Sequence, residues 1–143
     1  MSFLKKQSIG FYLTILTVIL AVVGIIAYFI NCNTAYFINF GVDGRIVSFG
    51  IIAIVLHIAF ILGSEVLGSR KILDILPVAS TVLLVITLVL FISSRANSIA
   101  AIMTFDKNAQ TMSDLSSALV GIGVYLVAVI FSIISSFFKI VKD

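Results

Sequence analysis

Apolar residues fill four long uncharged stretches of the chain, at 7–42, 46–64, 75–94 and 115–138. A helix needs roughly 20 apolar residues to cross about 30 Å of hydrocarbon, and each stretch is about that long or longer. The first is too long for one helix, and Asn31, Asn33 and Asn39 mark its excess as a connection. The pattern predicts helices over about 8–30, 46–65, 74–94 and 112–138, with a long connection over 95–111. Helices are required because lipid offers a backbone amide no partner.

Within each predicted helix, small and polar residues recur at steps of three and four. The first carries Gly10, Thr14, Thr17, Ala21, Gly24 and Tyr28, and the second Gly50, Ala53, His57, Phe60 and Ser64. The third shows Ser80, Leu84, Thr87, Phe91 and Ser94, and the fourth Ser117, Gly121, Tyr125, Ala128, Ser132 and Ser136. Lipid-facing and protein-facing Leu gain equally little, so helices in a bilayer associate through close backbone approach and interhelical hydrogen bonds. Such stripes suit that packing, and their rhythm predicts a left-handed bundle with crossings near +20°. The expected fold class is all-α: an integral membrane four-helix bundle, up-down-up-down, as one domain over 1–143.

Local chemistry sets the expected boundaries. Asp74 has the position of a cap for the third helix, whose first turn tolerates Pro77. Thr111 and Asp114 have capping-box spacing before the fourth apolar run, and Asp43-Gly44 is a turn signal before the second.

Composition removes whole classes of function. The chain has 143 residues, of which 62% are hydrophobic and 10% charged, too apolar for a folded surface facing water. No second, soluble catalytic unit fits in that length. Cys32 is the only cysteine, so no disulfide forms within one chain, and its expected place is the membrane edge. The net charge of +3 comes from scattered basic residues, which argues against nucleic acid. Lys5, Lys6, Arg70, Lys71, Lys139 and Lys142 fall on one side of the predicted bundle, whereas Arg45, Arg95 and Lys107 fall on the other. By the positive-inside rule both termini are expected in the cytoplasm, with the chain in the plasma membrane. The first span is expected to be retained, because its apolar run is long for a signal peptide and no A-x-A-like site follows.

Candidate chemistry is sparse. His57 is the one ionisable side chain expected deep in a span, tyrosine aside, and an intramembrane ionisable group invites a functional reading. Tyr125 and Thr17 fall at similar depth, with Thr87 slightly further out, so a polar cluster of His57, Tyr125, Thr17 and Thr87 is a candidate binding site. Bundle packing and a satisfied hydrogen bond explain the same residues. The 95–111 connection offers Arg95, Asn97, Phe105 and Asp106 as a candidate partner surface at the outer mouth. Tyr36, Phe37 and Phe40 read as an interfacial aromatic belt. No metal ligands converge and no cofactor is expected.

Several four-span families are excluded by residue. Small multidrug exporters need a glutamate in the first span, disulfide-generating oxidoreductases need paired cysteines, and claudin-like proteins need a tryptophan. The segments Arg95 to Ser117 and Thr34 to Val42 resemble parts of uncharacterised small four-span membrane proteins of Gram-positive bacteria, a group with no established activity. That resemblance implies a bacterial plasma membrane and nothing about chemistry. The expected role is therefore a non-enzymatic accessory or structural subunit docking on a larger membrane partner. The alternative is a small transporter or channel, acting as a homo-oligomer.

Overall fold

The computed structural model describes residues 9–67, 73, 75–105 and 107–137. The basic residues Lys5, Lys6, Arg70, Lys71, Lys139 and Lys142, the cap Asp74 and the surface residue Asp106 lie outside them. Four helices form a bundle: α1 (Ile9–Cys32), α2 (Gly44–Leu67), α3 (Ile75–Thr104) and α4 (Ala109–Ser135). Each is long and apolar enough to cross a membrane. A single 3-10 turn, Ile38–Phe40, interrupts the α1–α2 connection. The most extensive packing joins α1 to α4 and α2 to α3.

The stripes face inward as the spacing predicts. Thr14, Thr17, Ala21, Gly24 and Tyr28 of α1 are buried, as are Gly50, Ala53, His57, Phe60 and Ser64 of α2. Glycine makes the closest approach possible. The Tyr125 ring of α4 lies 3.1 Å from where a Cβ would stand on Gly24, and its hydroxyl is equally close at Gly50. One aromatic side chain thereby wedges between α1 and α2. The opposite faces present Ile, Val and Leu outward, which suits lipid.

Two stripes drift from the predicted register. On α4, Ala118 and Ser135 are buried, whereas Ser117 is half-buried and Ser136 is exposed. On α3, Ser94 is exposed, and the inward row continues through Phe91, Arg95, Ser98 and Ile102.

The 95–111 connection is corrected outright. The α3 helix runs unbroken through Thr104, which leaves only 105–108 between α3 and α4. No glycine or proline stands between Pro77 and Thr104, and Ala, Ile and Met propagate a helix well, so polarity at Arg95 and Asn97 does not end it. At 30 residues α3 spans about 45 Å, well beyond a hydrocarbon thickness of about 30 Å. The capping box also sits three residues earlier than predicted. Asn108 Oδ1 accepts from the Thr111 amide at 2.9 Å, and Thr111 Oγ1 accepts from the Asn108 amide at 3.0 Å. At the start of α2, Asp43 Oδ1 accepts from the Arg45 amide at 2.9 Å. Gly41, with φ of 73°, turns the chain into that cap.

Candidate functional site

The end of the bundle where α1 stops holds a polar cluster that the sequence pattern did not reveal. The α3–α4 hairpin continues past the last residue of α1, and the α1–α2 connection folds against it. Phe37 from that connection is fully buried with Ile102, Leu115 and Ala118. Phe37 is therefore core, not aromatic belt, while Phe40 is 61% exposed.

Arg95 is the centre of this end. Expected on an outer loop, it is 2% exposed on the inward face of α3. Its Nε donates to Asn31 Oδ1 at 2.6 Å, and Nη2 donates to the Cys32 sulfur at 3.3 Å. The guanidinium carbon lies 4.5 Å from the Phe37 ring centre, with Tyr28 at 5.6 Å and Phe91 at 5.9 Å. Ring faces carry negative potential, so three aromatics offset part of the cost of burying the cation.

Asn31 ties three helices together. Besides accepting from Arg95 on α3, its amide donates to Ser117 Oγ at 2.8 Å and to the Asp114 carbonyl at 3.3 Å, both on α4. Asp114 is also buried, and its carboxylate accepts from the Tyr36 amide at 2.9 Å and from Gln110 Nε2 at 2.8 Å. That pair of bonds pins the α1–α2 connection to α4. Among the described residues no ion pair joins Arg95 to a carboxylate. Among those residues Asn31 bonds to both Arg95 and Asp114, and no hydrogen bond uses Arg95 Nη1.

A cavity of about 400 Å³ opens beside this cation. Tyr28, Ser94 and Arg95 line one side, and Phe40, Asp43 and Arg45 the other. Asp43 and Arg45 neutralise one another, with Nε and Nη2 donating to the carboxylate at 3.2 and 3.0 Å. The Arg45 guanidinium holds the Asp43 carboxyl below its usual range, against a smaller opposing effect of burial.

The predicted cluster of His57, Tyr125, Thr17 and Thr87 is buried but not joined. Thr17 and Thr87 hydroxyls donate to carbonyls of their own helices, at Leu13 and Leu83. His57 Nε2 lies 3.2 Å from Ser132 Oγ, which lies 2.5 Å from Thr81 Oγ1, which donates to the Pro77 carbonyl at 2.8 Å. Each hydroxyl carries one proton. Thr81 spends its own on Pro77, Ser132 therefore donates to Thr81, and His57 donates through Nε2–H. His57 Nδ1 is then an acceptor, and it and the Tyr125 hydroxyl have no partner among the described residues. Seven residues of α2 separate His57 from Gly50, where the Tyr125 hydroxyl sits, so about 10 Å divides the two groups along the axis.

The remaining surface residues fall apart. Asn97 and Phe105 are exposed on the hairpin, whereas Arg95 points inward. The missed residues, Asn31 and Asp114, lie on the stripes themselves. Asn31 stands three residues after Tyr28, and Asp114 seven before Gly121. Extending each stripe through its polar end finds them. Among the described residues no group of His, Cys, Asp and Glu is arranged to hold a metal ion. Comparison with family models, curated proteins and solved structures finds no match.

Proposed function

We propose that this chain is a non-enzymatic accessory or structural subunit of a bacterial plasma membrane, with both termini cytoplasmic, that docks on a larger membrane partner. One observation carries the reading. The small and polar stripes are consumed in packing the four helices on one another, with Thr14, Thr17, Ala53, His57, Thr87, Tyr125 and Ala128 each no more than 1% exposed. A core closed in this way supports a scaffold over a conduit. The stripes are then unavailable for docking, so that role falls to the projecting α3–α4 hairpin, where Met103 and Phe105 are 62% and 83% exposed. The resemblance of 95–117 to Gram-positive membrane proteins supports the bacterial setting.

Purification from the native host in mild detergent, followed by mass spectrometry, tests the proposal. A stoichiometric larger partner, lost on Phe105→Ser, is expected. Recovery as a homo-oligomer alone contradicts it. A small oligomeric transporter or channel is the second reading, favoured by the two unpartnered buried atoms, His57 Nδ1 and Tyr125 Oη. Solute uptake into proteoliposomes that His57→Asn abolishes would select it.

A further inference from the structure

The cavity at the end of α1 has a chemistry that neither the scaffold nor the transport reading uses. Its wall contains Arg95, a residue 2% exposed whose guanidinium has no carboxylate partner among the described residues. A buried charge left without a counter-charge is costly, and rings and neutral amides only partly replace one. Asp43 lines the cavity and Asp114 shares Asn31 with Arg95, but neither bonds the guanidinium. Asp43, across the cavity, is held by Arg45, and the Asp114 oxygens accept from Tyr36 and Gln110. Among the described residues Arg95 therefore meets the cavity with no carboxylate bonded to it, and its Nη1 has no hydrogen-bond partner.

The geometry points to an oxyanion site: the cavity bounded by Tyr28, Phe40, Asp43, Arg45, Ser94 and Arg95 takes one singly charged phosphate or carboxylate group on the Arg95 guanidinium. A guanidinium suits such a group because its planar fork offers parallel donors to two oxygens. Volume agrees, since about 400 Å³ accommodates a head group of that kind. The site lies level with the end of α1, and Phe40 and Val42 on its rim are 61% and 49% exposed. It is thus open both to an anionic lipid head group and to a free anion from water, which share this chemistry.

Thermal unfolding of the purified full chain tests the site. Inorganic phosphate or acetate is titrated in neutral detergent, and nanodiscs of phosphatidylcholine are compared with nanodiscs containing phosphatidylglycerol. The expected result is a saturable rise in Tm, because a ligand that binds only the folded state stabilises it. A rise in detergent identifies a soluble anion as the ligand, and a rise confined to phosphatidylglycerol identifies the head group. Arg95→Gln is expected to weaken the response at least tenfold. Because that change also cuts the Asn31 bond, Ser94→Phe is the second variant. Ser94 is exposed, and its hydroxyl donates only to the Phe91 carbonyl of its own helix, so the new ring fills the cavity and leaves the Arg95 bonds intact. Its ligand-free Tm is expected to be unchanged and its response lost. No saturable response of the wild-type chain to phosphate, acetate or phosphatidylglycerol overturns the proposal. An undiminished response in Ser94→Phe overturns it equally.

Discussion

Gly121 and Gly123 lie on the same helix two residues apart, and the structure assigns alanine at them opposite effects. A Cβ on Gly123 meets nothing within 4 Å, whereas one on Gly121 stands 2.9 Å from both Cε2 and Cζ of Phe91 and 3.6 Å from Ala27 Cβ. Both substitutions gain helix propensity, about 0.8–1 kcal/mol relative to glycine. Only Gly121→Ala must also displace a ring. Phe91 is fully buried and held edge-on by Tyr28 at 4.9 Å and Tyr125 at 6.2 Å, so moving it disturbs both contacts. Overpacking of that kind costs about 1–3 kcal/mol. Gly123→Ala should therefore stabilise the bundle by up to about 1 kcal/mol, and Gly121→Ala should be about 1–3 kcal/mol less stable than Gly123→Ala. Reversible unfolding in mixed micelles reads the difference directly, free of errors common to both variants. Equal stabilities would refute the placement of Phe91 against α4.

Asn31→Ala removes the acceptor of a charged donor and should cost about 2–3 kcal/mol in the same unfolding assay. Ser132→Ala leaves both Thr81 and His57 short of a partner and should cost about 1–3 kcal/mol, whereas Ser136→Ala, at an exposed position, should cost less than about 0.5 kcal/mol. The Asp43 carboxyl is depressed in the folded chain, so its contribution is complete above the ordinary carboxylate value near 3.9 and is lost as pH falls through the lower folded value. Asp43→Asn should flatten that acid limb, by less than about 1 kcal/mol because Arg45 is 67% exposed, as followed by stability between pH 2 and 5. Reporter fusions at both termini should read as cytoplasmic and one at Lys107 as external; an external C-terminus reverses the proposed orientation.

The bundle was legible in the sequence because lipid enforces helices and the small-residue steps of three and four mark the only faces on which they can meet. Gly24, Gly50, Gly121 and Tyr125 are each where that rule puts them. The functional end was not legible for a related reason. Treating Arg95 as the edge of a span assumes that a charge marks the water boundary and that the boundary ends the helix. Here α3 outruns the bilayer, so Arg95 stays on the inward stripe, and its contacts are with Phe37 and Asn31, which are far away in sequence. Such long-range compensation leaves no local pattern. His57 illustrates the converse: its depth was readable, but its partners Ser132 and Thr81 were not, because depth alone does not fix which faces meet.

The continuity of α3 into the Arg95 cluster is the central claim, and a nitroxide scan across 95–104 in a Cys32→Ser background tests it most directly. Oxygen and paramagnetic-ion accessibility should oscillate with a helical period, with minima at positions 95, 98 and 102 and maxima at 97, 100 and 103. Uniformly high accessibility along the segment, as in a solvated loop, would contradict the helix, the burial of Arg95 and the site built around it.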